Sequence, residues 1–342
     1  MGVDSVGSLL ADIAGLIVDG LRILGIADKR HWGQDEHELL RAMERVLDDA
    51  KKDFQELSPL AKGQAHYERD RSFESVTEFR NIRAKFYMHI NTLKEWNRTG
   101  GPVDAVWVRD TKSLQRQLHR AQCRAAQRVF STTRESSQRC LGAFLVYRRQ
   151  RAWPSSNGST SASMTESEYH KRQTDEVQAC NVIGGFERFG DGDIAFICDY
   201  CDGHLMWEDV ERVPTTRAGW EAAESASTPI REAFTASSTN WQATTLGQSD
   251  QQEKQVIYPP VAVANHIAPM RGDWEARLMC PLCEDAARQP QDPDDEEDLY
   301  RPENQFDNMA ALQEHLEWDH APSVLPAALP ESLPSTKNCV VM

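Results

Sequence analysis

Hydrophobic positions recur every three or four residues through the first 151 residues, and beyond them the pattern changes. Val6, Leu9, Leu10, Ile13, Ile17, Leu21 and Leu24 set one apolar stripe on a helix that ends near Gly25. An Asp35-x-x-Glu38 cap opens a second helix, whose Leu40, Met43, Leu47, Ala50, Phe54 and Leu57 alternate steps of three and four until Pro59. Such a seam suits an antiparallel bundle or a short coiled coil. A third helix is predicted from a capping box at Ser75 and Glu78; it buries Phe79, Ile82, Phe86, Ile90 and Leu93 and stops at Gly100-Gly101-Pro102. A fourth runs from about Asp104 through Val129, and a shorter apolar piece, Leu141 to Tyr147, precedes a basic run.

Residues 152–178 are rich in Ser and Thr with few large apolar side chains and read as a linker. Past them the signal turns strand-like: Asp193 to Ile197 runs into a cysteine pair, and Val256 through Ile267 reads as a strand pair broken by Pro259-Pro260. Residues 214–255, rich in Ala, Ser, Thr and Gln, read as a long loop, and 321–342 as a disordered tail. The expected fold is therefore an α-helical N-terminal bundle (1–151), a linker, and a small α+β, zinc-finger-like module with long irregular loops (179–320).

Charge divides along the same line. The 342 residues carry a formal −15, yet 1–151 hold 26 basic against 20 acidic side chains while 152–342 hold 12 against 33. The acidic half should not bind nucleic acid through its overall field. No run of apolar residues is long enough and uncharged enough to span a bilayer. The N-terminal MGVDSVGS lacks the basic region of a secretory signal, so a reducing, intracellular compartment is expected.

Eight cysteines lie at 123, 140, 180, 198, 201, 280, 283 and 339, and four of them form two C-x2-C pairs. In a reducing compartment that spacing suits a metal knuckle better than a disulfide. Cys280-Pro-Leu-Cys283 is followed by Phe306, Leu312, His315 and His320. Zinc takes four nitrogen or sulfur ligands in a tetrahedron; a cysteine knuckle supplies two and a helical pair of histidines the others.

With its Cys-x2-Cys, Phe, Leu, His, His register, the segment resembles the two-cysteine, two-histidine (CCHH) zinc-finger superfamily. The resemblance implies Cys280, Cys283, His315 and His320 as Zn2+ ligands. It departs from the family in the 22 residues between Cys283 and Phe306, which include six carboxylates from Asp292 to Asp298. The wider stretch from 180 to 320 also resembles zinc-finger domain proteins of filamentous fungi, whose function is unassigned. In that family bases are read from helix positions that fall here on Asn308, Ala311 and Glu314, none of them basic. The finger is thus expected to be structural or to bind a protein.

The second pair, Cys198-Asp-Tyr-Cys201, has no histidine pair after it. His266 could close a second zinc site, and His204 lies nearby in sequence. Alternatively Cys198, Cys201, Cys280 and Cys283 share one zinc as a ribbon.

Two features bear on membranes. Cys339-Val-Val-Met342 has the pattern that protein farnesyltransferase accepts, which makes Cys339 a lipidation site. Arg116, Arg120, Arg124 and Arg128 repeat every four residues and so line one helix face; they would meet either an anionic leaflet or carboxylates of the acidic half. No phosphate loop, nucleophile elbow, HExxH helix or deaminase signature occurs. The function expected is that of a non-catalytic zinc-binding adaptor or regulatory protein. It would bind a protein partner and sit in the cytoplasm and at the cytoplasmic membrane face, farnesylated on Cys339. The alternative is a nuclear regulator that binds nucleic acid.

Overall fold

The computed structural model describes residues 4–132, 139–152, 166–190, 192–214, 241–247, 251–287 and 304–320. Four long helices build the N-terminal region: α1 (Val6–Ile26), α2 (Gln34–Leu60), α4 (Phe73–Thr99) and α5 (Ala105–Ser131), with the short α3 (Gln64–Glu68) between the second and third. They pack in a ring, α1 on α2, α2 on α5, α5 on α4 and α4 on α1. The stripes close this ring as their period requires: Leu9, Ile13, Ile17 and Leu24 of α1 meet Phe79, Phe86, Ile90 and Leu93 of α4 in one buried cluster. Tyr67 of α3 is fully buried, and its hydroxyl donates to the carbonyl of Gln122 at 3.2 Å.

Two helix starts differ from the sequence reading. α2 begins at Gln34, where the Glu36 carboxylate accepts from the Gly33 amide at 2.8 Å; Glu38 instead takes the ammonium of Lys112 at 2.6 Å. α4 is capped at Ser72, so Ser75 and Glu78 lie inside the helix and turn toward α5. In both cases an Asp/Ser-x-x-Glu pattern one to three residues inside the helix imitates a cap.

From residue 139 the chain wraps this bundle with shorter elements: α6 (Leu141–Arg151), α7 (Glu166–Ile183), α8 (Pro259–Ala264), α9 (Pro281–Ala287) and α10 (Met309–Asp319). Three antiparallel sheets join them. β1 (Gly184–Phe189), β2 (Asp193–Cys198) and β3 (His204–Trp207) form the first, β4 (Gln242–Leu246) and β5 (Glu253–Ile257) the second, and β6 (His266–Ile267), β7 (Arg277–Met279) and β8 (Gln305–Phe306) the third. Gly184 permits the first pairing, because a Cβ there would lie 2.2 Å from the carbonyl oxygen of Ile197.

Three expectations are corrected here. Residues 166–178, read as linker, belong to α7; its buried face carries Gln173 and Glu176 beside Cys180 and Ile183, so no apolar stripe announces it. Pro259-Pro260 do not break a strand but open α8, where proline suits the first turn. Part of the stretch read as a long loop is the β4–β5 hairpin, while 215–240 lie outside the described residues, as do the acidic insertion at 292–298 and Cys339. The apolar core runs unbroken from Val6 to Leu316, so the helical region and the elements around it share one interior.

Candidate metal centres

Two groups of four cysteine and histidine side chains converge, each with ligand atoms within 4.8 Å of one another. The first is Cys280, Cys283, His315 and His320, built by consecutive elements. Cys280 follows directly on β7, α9 carries Cys283, β8 pairs back on β7, and α10 brings His315, with His320 capping its C-terminal end. The Cys283 sulfur lies 3.3 Å from His315 Nε2 and 3.2 Å from His320 Nε2, and Cys280 lies 3.4 Å from His320 Nε2. Phe306 packs tilted against the His315 ring with centroids 4.6 Å apart, and Leu312 and Leu316 are buried.

The second group is Cys140, Cys198, Cys201 and His266. Cys198 ends β2 and Cys201 sits in the turn to β3. That turn is tied by Asp202 N donating to Cys198 O at 2.9 Å and Cys198 N to Gly203 O at 3.1 Å, with Asp202 in the left-handed region at φ 54°. Gly203 is required in this turn: a Cβ there would lie 3.1 Å from the Cys201 sulfur and 2.9 Å from Ala276 Cβ. Cys140 arrives from the helical side. Arg139 bridges to Ile267, and the Cys140 amide donates to His266 O at 3.1 Å, which sets the two ligands side by side. The sulfurs of Cys140 and Cys198 are 3.8 Å apart, and Cys201 is 3.5 Å from His266 Nε2.

These separations can be compared with coordination geometry. A tetrahedral ion with metal–sulfur bonds of about 2.3 Å and metal–nitrogen bonds of about 2.0 Å separates its sulfurs by about 3.8 Å and sulfur from nitrogen by about 3.5 Å. The Cys140–Cys198 and Cys201–His266 separations equal those edges, and the sulfur–nitrogen separations of the first group, 3.2, 3.3 and 3.4 Å, fall slightly below them. A sulfur pair at 3.8 Å is also far too long for a disulfide, and the seven described cysteines are all free.

The histidines are oriented from behind. His266 Nδ1 is 2.7 Å from the carbonyl of Val263, and His315 Nδ1 is 2.6 Å from the Asp319 carboxylate. Each contact holds the proton on Nδ1 and leaves Nε2 free to ligate. Burial pushes the Cys280 thiol up to about 12 and raises Cys283 as well, and burial followed by His315 lowers His320. A cation entering this group must therefore expel thiol protons but meets a neutral imidazole. In the second group burial raises Cys198, and hydrogen bonds with Cys140 and Cys198 push Cys201 well up. Burial opposes ionisation of Cys140 too, yet hydrogen bonds from both other thiols and the Gly142 and Ala143 amides at the start of α6 hold it well below its ordinary value. The two groups can each hold a metal ion through four protein ligands.

Of the residues singled out from sequence, Cys280, Cys283, His315 and His320 come together, and so do Cys198, Cys201 and His266. The two cysteine pairs lie in different groups, which excludes the single ribbon. His204 turns away to contact Asp202 O and the Trp274 ring. Cys140 was not singled out, because nothing in its local spacing marks a ligand; only the bridge between Arg139 and Ile267, which sets Cys140 beside His266, does.

The arginine stripe faces carboxylates. Arg120 binds Asp199, Arg124 binds Glu78 and Asp202, and Arg128 reaches Glu78 at 3.3 Å and the Ser75 hydroxyl at 2.9 Å; Arg116 is exposed. Asp199 and Asp202 belong to the knuckle itself, so α5 grips the turn that holds Cys198 and Cys201. Beneath this grip His119 lies 2.8 Å from Asp53 and 3.6 Å from the Cys123 sulfur. The thiol–imidazole–carboxylate order resembles a hydrolytic relay, but Cys123 is fully buried and its burial raises the thiol. A nucleophile needs access and a thiolate; this chain of contacts serves as a strut between α2 and α5.

Comparison with family models, with curated proteins and with solved structures gives no match.

Proposed function

We propose that the protein is a non-catalytic, zinc-binding adaptor in which two zinc ions fix the fold that presents a protein-binding surface. The observation that carries this reading is that each group supplies four protein ligands. A tetrahedral zinc so bound has no open position for water or substrate, which is the character of a structural site. Mixed thiolate and imidazole donors at tetrahedral spacing favour zinc over harder cations. The partner surface is placed on α10, where Trp318 is 81% exposed among Glu314, Glu317 and Asp319. An exposed indole is a common anchor of protein interfaces. α10 contains no Lys or Arg, which weighs against nucleic acid.

Reversible attachment to the cytoplasmic membrane face by a farnesyl group on Cys339 belongs to the same proposal. No described helix is long and apolar enough to cross a membrane. Since Arg120, Arg124 and Arg128 are held by carboxylates, α5 does not offer the second, basic membrane signal, and a single lipid would anchor only weakly. Metal analysis of the purified chain is the test: two zinc ions per chain support the reading, and none removes it. For the lipid, Cys339→Ser should shift the protein from the membrane to the soluble fraction; unchanged fractionation would remove the anchor.

A further inference from the structure

Beside the second metal group the helical bundle and the wrapping elements enclose a cleft of about 620 Å³. Five arginines line it: Arg124, Arg128, Arg139, Arg271 and Arg277. The first three are matched, Arg124 by Glu78 and Asp202, Arg128 by Glu78, and Arg139 by Glu284. Arg271 and Arg277 have no carboxylate partner among the described residues. Arg277 donates to Gln305 Oε1 at 3.2 Å, and its Nε–H is buried without an acceptor.

No accessible surface remains at Nε, so an acceptor arriving with a ligand in the cleft would meet the other nitrogens of the two guanidinium groups that lack a carboxylate. The second metal group does not supply it. With a dication on three thiolates and a neutral imidazole, that centre adds one negative charge near Cys201, and the cleft still keeps an excess of guanidinium over carboxylate. In a chain of net −15, such a local excess concentrates anions at one place.

The donor count selects the anion. A carboxylate has two oxygens and is satisfied by one guanidinium fork. A phosphate monoester offers three oxygens and carries about −1.5 to −2 at neutral pH, which suits two unmatched forks. Phe130, Ile267 and Met270 add apolar wall on which the ester's organic part can lie. We propose that this cleft binds a phosphate monoester, held by Arg271 and Arg277. The assignment is independent of the adaptor reading: it would hold for a small phosphate compound as well as for a phosphorylated side chain of a partner.

Isothermal titration of the zinc-loaded full chain with phenyl phosphate, N-acetyl-phosphoserine amide and benzoate tests it. Saturable binding of either phosphate ester, weakened about tenfold by Arg271→Gln and again by Arg277→Gln, is the expected result. Arg116→Gln, on α5 but outside the cleft, should leave the affinity unchanged. Tighter binding of the phosphoserine probe would point to a protein-borne ester, and tighter binding of phenyl phosphate to a small aromatic one. Should Arg277→Gln fold poorly, the exposed Arg271→Gln decides alone, with zinc content and thermal midpoint as its folding controls. Absence of saturable binding, equal affinity in the Arg271→Gln variant, or benzoate binding as tightly as phenyl phosphate would overturn the proposal.

Discussion

The two metal groups draw on the same residue types, two cysteines with two histidines in one and three cysteines with one histidine in the other, but their topologies are opposite. In Cys280, Cys283, His315 and His320 every ligand lies on or directly beside β7, α9 and α10, elements adjacent in the chain, so the group closes a local unit. In Cys140, Cys198, Cys201 and His266 the ligands come from the start of α6, from the β2–β3 turn and from β6. A metal there ties the end of the helical bundle to the elements that wrap it. A metal in the first group would stabilise a piece; one in the second would join pieces. One residue spans the two: Arg139, next to Cys140, holds the carboxylate of Glu284, next to Cys283.

The largest effect should come from breaking each group in turn. Binding of structural zinc contributes on the order of 10 kcal/mol to folding in small domains. Cys140→Ser and Cys283→Ser should each lower the zinc content from two ions per chain to one. Their proteolysis patterns should differ. Cys283→Ser should free the region around α9 and α10 while leaving α1–α8 protected, whereas Cys140→Ser should expose cleavage sites on both sides of α6. Identical fragment patterns would show that the local and joining roles are not distinct.

The same contrast explains what could be read from sequence. The first group was legible because its spacing is local: a knuckle, then Phe306, Leu312 and two histidines one helical turn apart record a single supersecondary unit. Three ligands of the second were legible as candidates, since a C-x2-C pair has few other uses in a reducing compartment. Cys140 was not, because its ligand role depends on a bridge between Arg139 and Ile267 that no periodicity announces. Three of the four long helices followed from apolar stripes, but α7 did not, since Gln173 and Glu176 occupy buried positions. Ser75 and Glu78 carried a capping signal and proved to be the partners of Arg128 and Arg124. A motif of polar residues states which chemistry is available, and the tertiary contact decides which use is made of it.

A second prediction concerns Arg139, which couples the groups. Its side chain is 5% exposed and that of Glu284 14%; its Nε also donates to Ala264 O at 3.0 Å, and the guanidinium lies 3.9 Å over the Tyr147 ring. Arg139→Met takes the guanidinium away from the Glu284 carboxylate and should cost about 3–5 kcal/mol in denaturant unfolding. The paired change Arg139→Met with Glu284→Gln should recover part of the loss, because the part-buried carboxylate charge is removed together with the guanidinium. No recovery would mean that the pair adds nothing beyond packing.

A smaller effect is set by pH. The Asp53 hydrogen bond, then that of Cys123, raises His119 to about 11, against about 6.5 in an unfolded chain. A raised folded-state value means that the stability from protonated His119 is complete below about pH 6.5, falls as pH rises, and is gone above about 11. The thermal midpoint of the wild type should therefore exceed that of His119→Gln most near pH 6 and approach it toward pH 10. A constant gap across that range would show that His119 acts by shape alone.

The smallest expected effects lie where α5 grips the knuckle. Asp202 is 54% exposed and Arg124 21%, while Glu78, at 20%, faces the same guanidinium from α4. Asp202→Asn should cost about 0.2–1 kcal/mol, as exposed ion pairs do, and Glu78→Gln more, because it leaves both Arg124 and Arg128 short of a carboxylate. Arg116→Gln, on the exposed end of the same stripe, should change stability by less than about 0.5 kcal/mol. If the grip serves the joining site, Asp202→Asn should also speed zinc loss to a chromogenic chelator from one of the two sites and leave the other rate unchanged. Equal acceleration at both sites would mean that α5 stabilises the whole fold rather than the centre that contains Cys198 and Cys201.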